Sequence, residues 1–296
     1  MKKILFILIV LVLITGCAST SQLSGREEGR GGVPDGLTIE FLSPSGNEVR
    51  EDIFFPVKLK LENNAECIVD GTICIRDTAG SSLSGIVDDC ENFNIQKLDK
   101  KVPYFTFENN VYENLERDID TTILAKAIYE CNININPFVC VRQDDDKLKD
   151  SCPDIQTISG KVGGLKTAPV TVTTIKKKFD ASGGLLSLQI YLDEMDKKDG
   201  RVVSNNYVKD NNEYGFPISI SFGELDVMND CYTYSDNLKN GIYYWKKDTE
   251  NIINCEILVS GINEFEDIAV NINLDYTYEL EKSKDIKVRY KYSEDV

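Results

Sequence analysis

The chain of 296 residues contains no histidine. That absence excludes a Ser-His-Asp or Cys-His nucleophile, a His-ligated zinc and an imidazole proton shuttle. Asn-x-Ser/Thr is also missing throughout, so N-glycosylation is not expected. No two cysteines stand two to four residues apart, which removes the paired spacing of a four-thiolate zinc site, and no metal or cofactor is expected. Basic residues are few, 33 against 49 acidic, for a net charge of −16. A surface of that sign repels nucleic acid and anionic headgroups, so neither is expected as a partner.

Long apolar runs are absent after the first turn of sequence, and the one that exists is informative. Lys2 and Lys3 precede eleven apolar residues, Ile4 to Ile14, and Ile14-Thr15-Gly16-Cys17 follows. The run is short of the roughly 20 residues of a spanning helix, and it fits an export signal better. Ile14 to Cys17 resembles the lipobox of prokaryotic lipoproteins. The resemblance implies cleavage before Cys17, acylation of its sulfur and a mature chain attached to the outer side of a membrane through an N-terminal lipid. Residues 1–16 are then the signal peptide. Residues 17–36, rich in Ser, Gly and charge, read as a flexible tether with about 25 Å of reach. Without Lys2 and Lys3 the mature chain carries 31 basic and 49 acidic residues, net −18.

Eight further cysteines behind an export signal read as disulfides. Cys231 and Cys255 are the only two in the second half and are expected to pair. Cys140 and Cys152 bracket a polar loop and are expected to close it. Asp70-Gly71 reads as the type I′ turn of a hairpin that sets Cys67 opposite Cys74, which leaves Cys90 for Cys131. Six cysteines allow fifteen connectivities, so these first-half pairings express a preference.

The body of the chain alternates with a period of two. Phe55 to Glu62, Ile123 to Cys131, Leu186 to Leu192 and Ile218 to Phe222 each place apolar residues on one face. Even-numbered apolar residues run from Ile268 to Leu280 and again from Ile286 to Tyr292, which reads as a hairpin turning at 281–285. No stretch after the leader has a helical period. The Gly-rich segment 158–167 reads as a linker. The expected fold is therefore all-β: two tandem antiparallel β-sandwich domains of immunoglobulin-like type, 37–157 and 168–296, following the signal and tether. The strands FPVKLKLENN, GTICIRD and TTILAKAIYEC of the first half resemble the seven-stranded immunoglobulin-like sandwiches of prokaryotic surface proteins, of the CARDB type. That resemblance implies an adhesion or spacer module and carries no catalytic residues.

Three groups of residues invite chemistry. The acidic run Asp193 to Gly200 lacks the alternate-acid spacing of an EF-hand and holds two lysines, so a solvated hairpin tip is expected there, and a charged loop at Asp144 to Asp146. Tyr232, Tyr234, Tyr243, Tyr244 and Trp245 lie between Cys231 and Cys255. Core or half-buried packing is the favoured reading of these rings, with Trp245, Tyr243 and Tyr244 the residues that would stack on a sugar if a glycan binds. Paired carboxylates could support hydrolysis, but among 49 acids none stands out. The function expected is a non-enzymatic, lipid-anchored, extracytoplasmic module for adhesion, spacing or assembly with other envelope proteins. The alternatives are a carbohydrate-binding module or, less favoured, a carboxylate-based hydrolase.

Overall fold

A computed structural model describes residues 31–79, 81–86, 88–99, 103–195, 199–204, 206–209, 213–246, 249–262 and 264–292. The leader, Cys17 and most of the expected tether lie outside the described residues. Those residues form strands, short 3-10 turns and connections, and no helix among them is long and apolar enough to cross a membrane.

The strands make three sheets. The first has the order β1 (Leu37–Ser43), β3 (Phe55–Asn63), β7 (Tyr104–Tyr112), β5 (Ser84–Gly85). The second runs β10 (Ile155–Ser159), β11 (Val170–Asp180), β12 (Leu185–Glu194), β20 (Asn251–Leu258), β17 (Cys231–Tyr232). The third has twelve strands along the path β18 (Leu238–Lys239), β19 (Ile242–Tyr244), β15 (Glu213–Phe222), β21 (Phe265–Arg289), β8 (Ile119–Ile135), β4 (Val69–Asp77), β6 (Asp89–Ile95). On its flanks sit β2 (Glu48–Arg50), β9 (Phe138–Arg142), β13 (Gly200–Val203), β14 (Val208–Lys209) and β16 (Leu225–Asp226). Pairing is antiparallel except where β2 meets the end of β21.

The long sheet is built on β8 and β21. All seventeen residues of β8 pair with Ile272 to Val288 of β21. At ~3.3 Å per residue, the 25 residues of β21 span roughly 80 Å. The turn expected at 281–285 does not form: Glu281 to Asp285 continue the strand opposite Lys126 to Thr122. Parity explains this, because the buried even positions from Val270 to Leu280 resume at Ile286 and Val288 without a shift. Between them Lys282 and Asp285 are exposed, Lys284 is half-buried with its ammonium donating to Pro44 O, and β8 satisfies the backbone of 281–285.

One contiguous core lies against this sheet. Where the first sheet covers it, the ring of Phe93 on β6 stands edge-on to Phe105 on β7 at 6.3 Å. Where the second covers it, the Tyr276 hydroxyl of β21 donates to Val170 O and accepts from Val170 N, both at 2.9 Å. The expected boundary at 158–167 therefore does not separate two sheets systems: β8 of the first half and β21 of the second are neighbours throughout their length. Segment 158–167 is itself built in, with Ile158 and Leu165 buried. The last residues of the expected tether are likewise docked. Gly32 N donates to Lys166 O, Asp35 N to Ala168 O, and Asn64 N to Gly36 O. Gly31 is glycine for room, since a Cβ there would come within 2.3 Å of Leu165 O.

The expected Asp70-Gly71 hairpin is replaced by a continuous strand. Asp70 and Gly71 are paired on both sides, to Asn94 and Phe93 and to Glu130 and Tyr129. Gly71 serves a close backbone approach, because a Cβ there would sit 2.1 Å from Ile128 O. This changes two disulfides. In β4, Ile73 and Ile75 point into the core, so Cys74 points outward and meets Cys90 directly across the ladder, Cα to Cα 4.1 Å. Cys67 and Cys131 are both buried and join on the core side at a Cα separation of 5.6 Å. Cys140–Cys152 and Cys231–Cys255 form as the sequence suggested.

Buried polar groups close the strand ends. The Asn63 amide donates to Cys67 O at 2.9 Å and Gln96 O at 3.0 Å, and accepts from Ala65 N. Glu51, 2% exposed, accepts from the backbone of Leu115 and Lys291. Asp118 accepts from Tyr290 N and Arg289, and these bonds hold its carboxyl at about 2, well below the ordinary 3.8.

Gly71→Ala is expected to lower unfolding free energy by roughly 2 kcal/mol or more through overpacking. Gly46→Ala, where a Cβ meets nothing nearer than 3.9 Å, should leave it unchanged. Urea unfolding of both variants measures the difference, and equal stabilities would contradict the strand assignment at Gly71.

Candidate functional site

Among the described residues, two surface cavities are bordered by aromatic residues singled out in the sequence, one by Trp245 and the other by Tyr232 and Tyr234. Tyr243 is fully buried, and its hydroxyl donates to Asn251 at 3.0 Å. Trp245 is 7% exposed and packs with Phe216 and Tyr243, at centroid distances of 6.4 and 6.1 Å. Its indole edge borders a cavity of about 420 Å³ together with Glu194, Arg201, Glu213 and Lys246. Tyr244 is half-buried, with the Lys209 ammonium 5.5 Å above its ring. These three residues thus offer no open stacking platform: alternation along β19 turns Tyr243 inward, and Trp245 follows it into the core.

Tyr232 and Tyr234 are different. They are 41% and 83% exposed and stand edge to face at 5.7 Å. Proximity of the Tyr234 hydroxyl, partial desolvation and the Glu256 carboxylate together raise the Tyr232 phenol above its ordinary 10. Both rings border a groove of about 330 Å³ on the outer face of the second sheet.

The floor of that groove follows from strand parity. Isoleucine and leucine side chains at 175, 188, 190, 253 and 257 go to the core, so Lys176, Gln189 and Asn254 go outward. Register then aligns Lys176, Gln189, Asn254 and Tyr232 in one row across β11, β12, β20 and β17. A hydrogen-bonded chain runs along this floor in one direction. Lys176 Nζ donates to the Tyr191 hydroxyl at 3.0 Å, Tyr191 donates to Gln189 Oε1 at 3.3 Å, and Gln189 Nε2 donates to Asn254 Oδ1 at 3.2 Å. The Lys176 ammonium also lies 4.6 Å over the Tyr191 ring. At the end of the chain, Asn254 is 5% exposed and its Nδ2 finds no acceptor among the described residues. A buried amide donor without an acceptor is costly, and a cation at the head of the chain polarises every donor after it.

Beneath the same sheet lies a second polar knot. Lys177 and Arg142 are each 1% exposed. Lys177 Nζ donates to Cys140 O and Pro153 O at 2.7 and 2.6 Å. Arg142 donates to Cys152 O and Gln143 O and pairs with Asp154 at 2.5 Å. These cations collect the carbonyls of the Cys140–Cys152 loop and are structural.

Of the acidic runs, Asp196, Lys197 and Lys198 lie outside the described residues. In the other, Asp145 accepts from Lys147 N within its own turn. Among the described residues no group of three or more Cys, Asp or Glu side chains is placed to hold a metal. Sequence reasoning named Tyr232 and Tyr234 but missed Gln189 and Asn254. For Gln189 the signal is a polar residue at alternate positions of an otherwise aliphatic strand, whereas β20 also turns Ile252 and Leu258 outward and gives Asn254 no such mark.

Two outcomes test this placement. Trp245→Ala is expected to cost about 3–5 kcal/mol, as a buried aromatic does, measured by chemical denaturation; a loss below 1 kcal/mol would argue for an exposed role. Desolvation lowers the Lys177 ammonium from the ordinary 10.5 to about 8. Between those values the unfolded chain binds the extra proton, so the contribution of this group to stability rises with pH, whereas below about 8 both states are charged. Melting temperatures of the parent minus Lys177→Met should therefore increase from pH 7.5 to 9.5, and parallel curves would refute the shift.

A comparison with models of known protein families finds no match, and a comparison with curated proteins finds none either.

Proposed function

We propose that this protein is a non-enzymatic, extracytoplasmic module, held at a membrane by a lipid on Cys17 and serving as a rigid spacer or assembly unit of the cell envelope. The observation that carries the reading is the joint presence of an export-type leader ending at Cys17 and four disulfides in the body behind it. Disulfides persist in oxidising compartments and are rare where glutathione keeps thiols reduced. A spacer needs stiffness, and the sheet running through both halves supplies it. In this reading the two halves are immunoglobulin-like sandwiches that share one sheet instead of being strung on a linker. The acidic surface favours solubility and argues against a second, electrostatic membrane contact.

The test is an intact-mass measurement on protein from the membrane fraction of its native cells. The expected species begins at Cys17, carries acyl chains and has no titratable thiol, and Cys17→Ala should release the chain from the membrane. Recovery from the cytosol with the leader attached and thiols reduced would sink the proposal.

A further inference from the structure

Among the described residues, the outer groove of the second sheet brings exposed aromatic rings together with a buried, unpartnered donor. Its wall is the Tyr232–Tyr234 pair, exposed on a protein that otherwise turns its aromatic rings between Cys231 and Cys255 inward or half inward. Its floor ends in Asn254, nine-tenths buried, whose Nδ2 lacks an acceptor and stands last in a donor chain that begins at Lys176. A buried amide in this position calls for an oxygen acceptor, and exposed rings call for a flat apolar surface carrying polar groups at its rim. Pyranose sugars present both at once: C–H faces for the rings and hydroxyl or acetamido oxygens for the amide. The volume of about 330 Å³ lies at the lower end of ligand sites, enough for one or two ring-sized units with the rest of a chain outside.

Charge selects among sugars. In the adjacent row, Lys178, Ser187 and Glu256 are register partners, so opposite charges flank the groove. The Lys176 ammonium keeps its charge but is held against the Tyr191 hydroxyl and ring, at the end of the row away from Tyr232, and Lys177 Nζ turns inward to Cys140 O and Pro153 O. Glu256 stands beside Tyr232 and opposes an anionic ligand where the rings would hold it, as does the net negative charge of the chain. A neutral glycan meets no such opposition.

We infer that the groove formed by Tyr232, Tyr234, Gln189 and Asn254 binds a neutral oligosaccharide, with the tyrosine rings against a sugar face and Asn254 Nδ2 donating to a ring substituent. The inference rests on the reading of the chain as a non-enzymatic module outside the cytoplasm and assigns that module a ligand class. It moves the sugar-binding role away from Trp245, Tyr243 and Tyr244.

Isothermal titration of the purified full mature chain with the trisaccharides of glucose, N-acetylglucosamine, mannose and xylose tests it. At least one should bind, and Tyr234→Ala and Asn254→Ala should each weaken it by about tenfold or more, the loss of one ring or one buried donor. Tyr234 is exposed, so its variant should melt with the parent, which keeps the result readable if Asn254→Ala folds poorly. Trp245→Phe should leave affinity within about twofold. Binding to none of the four, or binding that ignores Tyr234→Ala, overturns the inference, as does binding lost with Trp245→Phe alone. Because the titration is done in solution, its outcome is independent of where the chain resides in the cell, which the intact-mass measurement reads separately.

Discussion

Everything in this molecule leans on the antiparallel ladder between β8 and β21. Seventeen residues of each strand satisfy one another's backbone, and their rings touch across it, Tyr129 to Tyr278 at 6.0 Å. The inward residues of β8 line the core under the first sheet, and those of β21 extend it under the second. None of the four disulfides joins the two halves: Cys67–Cys131, Cys74–Cys90 and Cys140–Cys152 lie on one side of residue 158 and Cys231–Cys255 on the other. Covalent bonds therefore brace each half, and hydrogen bonds with apolar packing hold the halves together. The partners in the ladder are more than 130 residues apart in sequence, as in Ile272 with Ile135, and β21 is the last strand among the described residues. Such non-local pairing is slow to form, so the long sheet completes only after nearly the whole chain is available.

Polar chemistry in the second half is sorted by the two faces of one sheet. Lys177 turns inward and meets carbonyls, while its neighbour Lys176 turns outward and heads the donor chain to Asn254. A single residue of register separates a structural cation from a surface one. The inner cation is tolerated because Cys140 O and Pro153 O receive it and Asp154 lies near. The outer chain leaves one donor, Asn254 Nδ2, without an acceptor among the described residues.

Much of this fold was legible in the sequence as alternation. Phe55 to Glu62, Ile123 to Cys131 and Leu186 to Leu192 show the period of two and fall in β3, β8 and β12. The errors came from reading turn residues as turns. Asp70-Gly71 and Glu281 to Asp285 have turn-like composition, but each lies between long strands whose backbone groups need partners, and tertiary pairing prevailed over local preference. With β4 read as one strand, parity alone would have set Cys74 outward, away from buried Cys67. Sheet pairing across the midpoint left no local mark, because alternation tells which face a residue takes and not which strand lies beside it. The groove was half visible for the same reason: its tyrosines stood out, whereas Gln189 and Asn254 gain meaning only when β12 and β20 are neighbours.

The docked segment at 31–36 has a mechanical consequence. It lies at the seam, bonded to Lys166 and Ala168 on one side and to Asn64 on the other, with Pro34 in a parallel bridge to Ala168. A pull on the front of the chain therefore enters the body at its waist and is divided between both lobes, instead of peeling an edge strand from one end. Three backbone hydrogen bonds, Gly32 N to Lys166 O, Asp35 N to Ala168 O and Asn64 N to Gly36 O, would share such a load between the two halves.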